Sequence, residues 1–150
     1  MLNIIADTRE QHPFTFTGWD DARTVRKALD VGDYSLVGQT GKIAIERKTL
    51  IDVTNCLDGK EGARFRREME RARDIERFFV VVEGSFAQMT SRQYRCRLKP
   101  NEATAALVDL QLEYGRPFIW AGNRRAAEYL TYWILKRYAE QENVRPETDR

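Results

Sequence analysis

Histidine is nearly absent from this 150-residue chain, where His12 stands alone. A zinc hydrolase, a Ser-His-Asp triad and a Cys-His protease each need imidazole beside other partners, so those chemistries are all but excluded. Cysteine is almost as scarce. Cys56 and Cys96 form no CxxC pair, which supports neither a zinc knuckle nor a secreted disulfide scaffold, and both read most simply as reduced thiols. No apolar stretch approaches the roughly 20 residues of a membrane span, and the N-terminal Leu2-Asn3-Ile4-Ile5-Ala6 lacks the basic start and length of a signal peptide. An excess of one charge sign is missing too, since 25 basic residues face 23 acidic ones. Bulk charge therefore announces no polyanionic partner, and the distribution of charge has to be read instead. A soluble, intracellular protein without a membrane partner is expected, and any catalysis falls to carboxylates.

What is present suits one domain. The chain is 42% hydrophobic and of a length that buries roughly 68–70% of its unfolded surface without disulfide staples. The expected domain covers residues 1–142, followed by a polar tail over 143–150. Leu2 to Ala6 reads as a buried strand presenting Asp7-Thr8-Arg9-Glu10 at its end. Asp20 to Leu29 offers a short amphipathic helix with Val25 and Leu29 inward, stopped by Gly32. Tyr34 to Val37 and Lys42 to Arg47 read as antiparallel strands, because Gly38-Gln39-Thr40-Gly41 between them has hairpin chemistry. A helical stretch from Leu50 to Ile75, broken at Asp58 to Gly62, leads to the apolar strand Phe78 to Val82, a strand-helix-strand crossover. Pro100 opens another helix that Gly115 ends, Phe118 to Trp120 is the last strand, and Asn123 caps a helix with Leu130, Trp133, Ile134 and Tyr138 inward. Alternating strands and helices predict an α/β fold around a mixed sheet.

The chemistry concentrates in Gly32-Asp33-Tyr34 and, one hairpin later, Glu46-Arg47-Lys48-Thr49-Leu50-Ile51-Asp52. Side chains alternate along a strand, so Glu46 and Lys48 share a face about 7 Å apart while Arg47 points to the other. If Asp33 lies on the Glu46 side, two carboxylates are available to Mg²⁺ or Mn²⁺, which prefer hard oxygen ligands. Such an ion acidifies bound water and stabilises charge building on a phosphate, the two needs of phosphodiester hydrolysis. Lys48 would orient that water or neutralise the phosphate. An isolated Glu-Arg-Lys is ordinarily solvated surface charge. Here Asp33 after a glycine, Asp52 on the next helix and Asp7 at another strand end give it company.

These residues resemble the signature of the XPF-type nucleases, structure-specific endonucleases related to the xeroderma pigmentosum group F protein. Their pattern, GDY or GDF, a variable gap, then ERKxxxD, is met by Gly32 to Tyr34 and Glu46 to Asp52. Asp7 to Glu10 and Phe79 to Gly84 extend the likeness over most of the chain. The resemblance implies a restriction-endonuclease-like core that cuts DNA with a divalent metal, leaving a 5′-phosphate and a 3′-hydroxyl. It makes Asp33 and Glu46 metal ligands, Lys48 the water- or phosphate-facing cation, Arg47 and Asp52 essential members of the site, and Asp7, Arg9 and Glu10 its supports. Fork-cutting members usually carry a tandem helix-hairpin-helix module after the nuclease and often a helicase before it. This chain is expected to stand alone without them, holding DNA through the nuclease domain itself, a second copy or a recruiting protein. The competing readings are a noncatalytic DNA-binding scaffold for an active partner and a nuclease without junction preference.

For DNA contact the sequence favours the acid-free stretch Ser85 to Asn101. Arg92, Arg95, Arg97 and Lys99 suit phosphates there, and Tyr94 suits stacking on an unpaired base. Tyr34 beside Asp33 and Arg64 on the crossover helix join this set, and Glu68 also has a route to the site. The remaining arginines between Lys60 and Arg73 are largely explained by i,i+4 pairing with Glu61, Glu68 and Glu70. The last helix carries Tyr129 and Tyr132 beyond its inward stripe, an aromatic excess that fits a homodimer contact and core packing equally well.

Overall fold

A computed structural model describes residues 1–144, so the expected tail lies, from residue 145 on, outside the described residues. Six strands form one sheet in the order β2-β1-β3-β4-β5-β6. They are β1 (Leu2–Ala6), β2 (Ala22–Arg26), β3 (Tyr34–Leu36), β4 (Ile43–Thr49), β5 (Arg77–Glu83) and β6 (Phe118–Trp120). β3 is antiparallel to both β1 and β4, whereas the β1–β2, β4–β5 and β5–β6 pairs are parallel. The mixed sheet and the hairpin of the sequence reading are both present. The helices are α1 (Leu50–Asn55), α2 (Gly59–Arg71), α3 (Phe86–Thr90), α4 (Pro100–Tyr114) and α5 (Arg124–Val144), with a 3₁₀ turn over Ala72–Asp74 after α2.

The sheet is covered on both faces, as parallel strands require. Alternation sorts the strand residues between two apolar layers. Ala44, Phe78, Val80 and Val82 pack with Phe65 and Met69 of α2 and with Leu107 and Leu110 of α4. Ile43, Ile45 and Val81 pack with Phe14, Phe16 and Ala127, Tyr132 and Leu135 of α5. Continuing that alternation sends Glu46 and Lys48 toward α1 and α2 and sends Arg47 toward Phe14 and α5.

Two expectations are corrected. The segment predicted as a helix over 20–29 instead forms β2, running in register along β1 from Leu2↔Ala22 to Ala6↔Arg26. The i,i+4 pair Val25 and Leu29 suits a helix, but the open edge of β1 has backbone groups to satisfy and Thr24 and Val25 are good strand formers. On α5 the buried positions include Ala127, Thr131, Tyr132, Leu135 and Tyr138, whereas Trp133, expected inward, is 40% exposed. The helix is capped as expected, Asn123 Oδ1 accepting from Ala126 N at 2.8 Å.

Candidate active site

Gly32 starts the site. Its φ of +82° is the left-handed conformation, and a Cβ there would lie 3.1 Å from Ala44 Cβ and 3.2 Å from the Ile45 carbonyl. That close approach lets Asp33 N donate to Ile45 O at 2.8 Å while Asp33 O accepts from Asp7 N at 2.8 Å. Asp33 is thus fixed between the end of β1 and the middle of β4. Its carboxylate accepts from Arg47 N at 2.7 Å. Burial, with repulsion from Glu10 and Glu68, pushes the Asp33 carboxyl up to about 7, against the lowering effect of the Arg47 N–H and Lys48.

Glu46 is 8% exposed. Burial raises its carboxyl well above the usual range, and repulsion from Asp33 and a hydrogen bond shared with Glu68 raise it further. The cation paired with it is Lys48, whose Nζ lies 3.8 Å from Glu46 Oε1 and 4.6 Å from the centre of the Phe65 ring. Burial alone would depress the Lys48 ammonium, but Glu46, Glu68 and Asp52 hold it above its ordinary value. Asp33, Glu46, Glu68, Glu10, Arg64 and Arg67 border a cavity of about 440 Å³. A second cavity of about 310 Å³ borders Glu46, Lys48, Asp52, Arg64 and Glu68.

Arg47 works on the other face of β4. Its guanidinium pairs with Glu83 at the end of β5 and with Glu10 at 2.9 Å, and lies over the Phe14 ring at 5.6 Å. Arg124 of α5 completes the ladder, 3.2 Å from Glu83 and 4.9 Å from the Phe14 ring centre. One residue therefore clamps β1's exit loop to β5 through its side chain and holds Asp33 through its backbone. Asp7 makes a similar connection. Its carboxylate accepts from Arg9 Nε and from Leu29 N, each at 2.8 Å, and so ties the loop after β1 to the loop after β2.

A family model described as the ERCC4 domain matches residues 6–132. The chain belongs to the ERCC4 domain family. The solved XPF from Aeropyrum pernix is similar at 26% identity with a TM-score of 0.68, over 95% of this chain and 66% of that one. XPF from Aeropyrum pernix in complex with DNA is similar at 25% identity with a TM-score of 0.70, over 99% of this chain and 70% of that one. This chain thus spans about two thirds of the length of those relatives. No curated protein sequence matches. The ERCC4 domain here has the XPF-type, restriction-endonuclease-like fold, a mixed sheet with helices on both faces. Among the described residues no helix is long and apolar enough to cross a membrane.

Of the ERCC4 domain's expected site residues, Asp33, Glu46 and Lys48 come together, with Asp7, Arg9 and Glu10 along the same rim. Asp52 stands at the edge as the third residue of α1, closing a capping box with Thr49. The side chain of Arg47 faces away from the Glu46 cavity, so its tie to the site is its N–H and the two carboxylates it anchors. Tyr34, expected at the DNA surface, is fully buried, and its hydroxyl accepts from Phe14 N at 2.8 Å. Tyr94, expected to stack on a base, is also buried, its hydroxyl donating to Leu98 O at 2.9 Å. Arg97 pairs with Asp58 at 2.6 Å, while Arg92, Arg95 and Lys99 are exposed and lie in neither cavity. Sequence reasoning passed over Arg67, Arg71, Glu83 and Arg124. The first two were legible in the helical period: Phe65 and Met69 point inward, which leaves Arg64, Arg67, Glu68 and Arg71 at i, i+3, i+4 and i+7 on the adjoining face.

Proposed function

We propose that this chain is a divalent-metal-dependent endonuclease that hydrolyses phosphodiester bonds in DNA, with flap, fork or other junction DNA in repair or recombination as substrate. The observation that carries this reading is Asp33 beside Glu46, two carboxylates held in a partly buried cavity where each resists ionisation, with Lys48 at 3.8 Å from Glu46. Structural acids are normally matched by cations; these are left under-compensated where a cation can enter. Among the described residues no three acid, histidine or cysteine side chains form a metal-holding group by themselves. Mg²⁺ and Mn²⁺ bind through one or two carboxylates and keep positions for water and substrate phosphate. Asp33 and Glu46 are the residues that would hold the ion. When bound, it supplies water of lowered pKa and neutralises charge on the phosphoryl group.

The chain's own residues then divide the remaining work. Lys48, stiffened by Phe65, presents its ammonium to a water or to a phosphate oxygen. Glu68 shares a hydrogen bond with Glu46 at the border of the cavity. Arg47 holds Asp33 beside Glu46 through its N–H and, with Glu10 and Glu83, ties the loop after β1 to the end of β5, which fixes the site as reaction geometry demands. In-line attack of water breaks the P–O3′ bond and leaves a 5′-phosphate and a 3′-hydroxyl. A noncatalytic scaffold has no physical reason to keep acids that repel phosphate.

DNA is the proposed partner, in line with the relative from Aeropyrum pernix solved with DNA. A second copy is proposed to pair through α5, where Tyr129 and Trp133 are 58% and 40% exposed with ring centres 6.4 Å apart. A recruiting protein is the remaining route to junction recognition. The test is a cleavage assay in Mg²⁺ and in Mn²⁺ on 3′-flap, fork, linear duplex and single-stranded DNA, with Glu46→Gln as the control. Metal-dependent cutting that a folded Glu46→Gln protein lacks is expected, with junction DNA cut first. Equal cutting by the variant would reject the site, an even ranking would reject junction preference, and binding without cutting would favour the scaffold.

A further inference from the structure

Beyond the carboxylates lies a groove of about 1050 Å³ that none of the site chemistry uses. Arg71, Asp74 and Ile75 form one wall, residues 27–31 with Thr8 and Arg9 form the other, and Thr40 and Gly41 of the β3–β4 turn also line it. It is continuous with the active-site cavity, since Arg9, Asp30 and Arg71 border both. Its cations are Arg9, Lys27 and Arg71, with Arg64 and Arg67 at the mouth, and its acids are Asp30 and Asp74.

The arginines of α2 and the turn after it divide by what they face. Arg66 and Arg73, which line neither cavity, are neutralised by Glu113 and Glu70 respectively. Arg67 and Arg71, which do line them, are exposed and have no ion pair among the described residues. Arg64 reaches only Glu61, at 3.9 Å. Ion pairing therefore accounts for Arg66 and Arg73 and leaves Arg67 and Arg71 unpaired among the described residues. From Arg64 to Arg71 the helix rises about 10 Å, at 1.5 Å per residue. That equals about three phosphates of a duplex strand, at roughly 3.4 Å of axis each. Arg9, opposite, keeps its side chain 71% exposed although Asp7 and the Leu29 carbonyl orient it.

We propose that this groove is a phosphate-binding track: one DNA strand leaves the Asp33–Glu46 site along it, its backbone held by Arg67 and Arg71 on one wall and by Arg9 and Lys27 on the other. The inference rests on the nuclease reading and names the surface that holds the substrate. It moves the DNA away from the Arg92 to Lys99 loop that the sequence favoured.

The test measures binding of labelled duplex and single-stranded DNA across a salt series, with the full chain carrying Glu46→Gln to prevent cutting. Arg67→Gln, Arg71→Gln and Lys27→Gln are combined in one variant. On duplex DNA the slope of log affinity against log salt should flatten by about one unit per lost phosphate contact. Arg67→Lys with Arg71→Lys should restore the slope, and Arg137→Gln, a loss of charge on α5 away from the groove, should leave it alone. Matching melting temperatures establish that the variants fold. A track variant binding like its parent would overturn the track, as would a slope that flattens only on Arg92→Gln with Arg95→Gln. Failure of the parent itself to bind DNA would overturn the nuclease reading together with the track, a result distinct from either.

Discussion

Asp33→Asn should make the metal-free protein more stable at pH 8 while abolishing cleavage. In the folded chain burial holds the Asp33 carboxyl near 7, whereas in the unfolded chain it titrates near 4. Between those values the folded state keeps a proton that the unfolded state has released, so stability falls as pH rises through that window and is lowest above it. Three pH units at 1.36 kcal/mol each set a ceiling of roughly 4 kcal/mol. Asp33 is only half-buried and shares its proton balance with Glu46, which reduces the expected recovery to about 1–3 kcal/mol. Asparagine keeps an acceptor for Arg47 N and carries no charge to desolvate.

At about 2–4 °C per kcal/mol for a domain of this size, the variant should melt roughly 2–12 °C higher at pH 8. The difference should shrink through pH 6 and vanish below about pH 3, where the wild-type carboxyl is protonated in both states. Mn²⁺ should raise the wild-type melting temperature at pH 8 by binding the folded state alone, and should barely move the variant. Thermal melts of both proteins at four pH values, with and without the ion, make the measurement. A variant no more stable at pH 8, or one whose advantage grows toward acid, would refute the account of Asp33 as an under-compensated acid. An equal Mn²⁺ shift in both proteins would refute its place as a ligand.

Lys48→Met keeps an apolar stem against Phe65 and removes the cation beside Glu46, so cleavage should fall by about 10²-fold or more in single-turnover assays with the fold retained. Gly32→Ala forces a side chain to φ +82° and within 3.1 Å of Ala44 Cβ, which should cost about 1–3 kcal/mol in a denaturant melt and displace Asp33 enough to depress cleavage. Light scattering should find a dimer that Tyr129→Ala with Trp133→Ala converts to monomer; a monomeric parent at working concentration would remove the α5 contact.

How much of this could be read in advance follows from how local each determinant is. β1, β4 and β5 are short apolar runs ended by polar residues, and a strand's period of two places Glu46 and Lys48 together whatever else the chain does. β2 was not legible because what makes Ala22–Arg26 a strand is the free edge of β1, twenty residues earlier. Leu29, which completes the apparent helical pair, is buried for another reason: its N–H is held by Asp7. The tyrosines misled in a similar way. A tyrosine in a polar stretch reads as surface, but Tyr34 lies opposite Ile45 in the register and stacks on Phe14, with ring centres 5.0 Å apart. Only its hydroxyl needs a polar partner, and the backbone of the 11–19 loop supplies one.

The contiguity of Glu46, Arg47 and Lys48 has a physical reason that the motif alone does not express. Read as a string, the three residues belong to one site. In the strand they serve two faces. Glu46 and Lys48 meet the cavity under α2, while Arg47 binds Glu10 and Glu83 on the face covered by Phe14 and α5. When ionised, Glu46 is repelled by Asp33 at the start of β3 and by Glu68 of α2. The opposing restraint cannot come from within the cavity without neutralising the site. Alternation puts it one residue away on the opposite face, where Arg47 joins the loop after β1 to the end of β5 and its N–H holds Asp33. Arg47→Lys should therefore damage cleavage through geometry: one ammonium has no planar fork to span Glu10 and Glu83, and the metal-free melt should fall along with the rate.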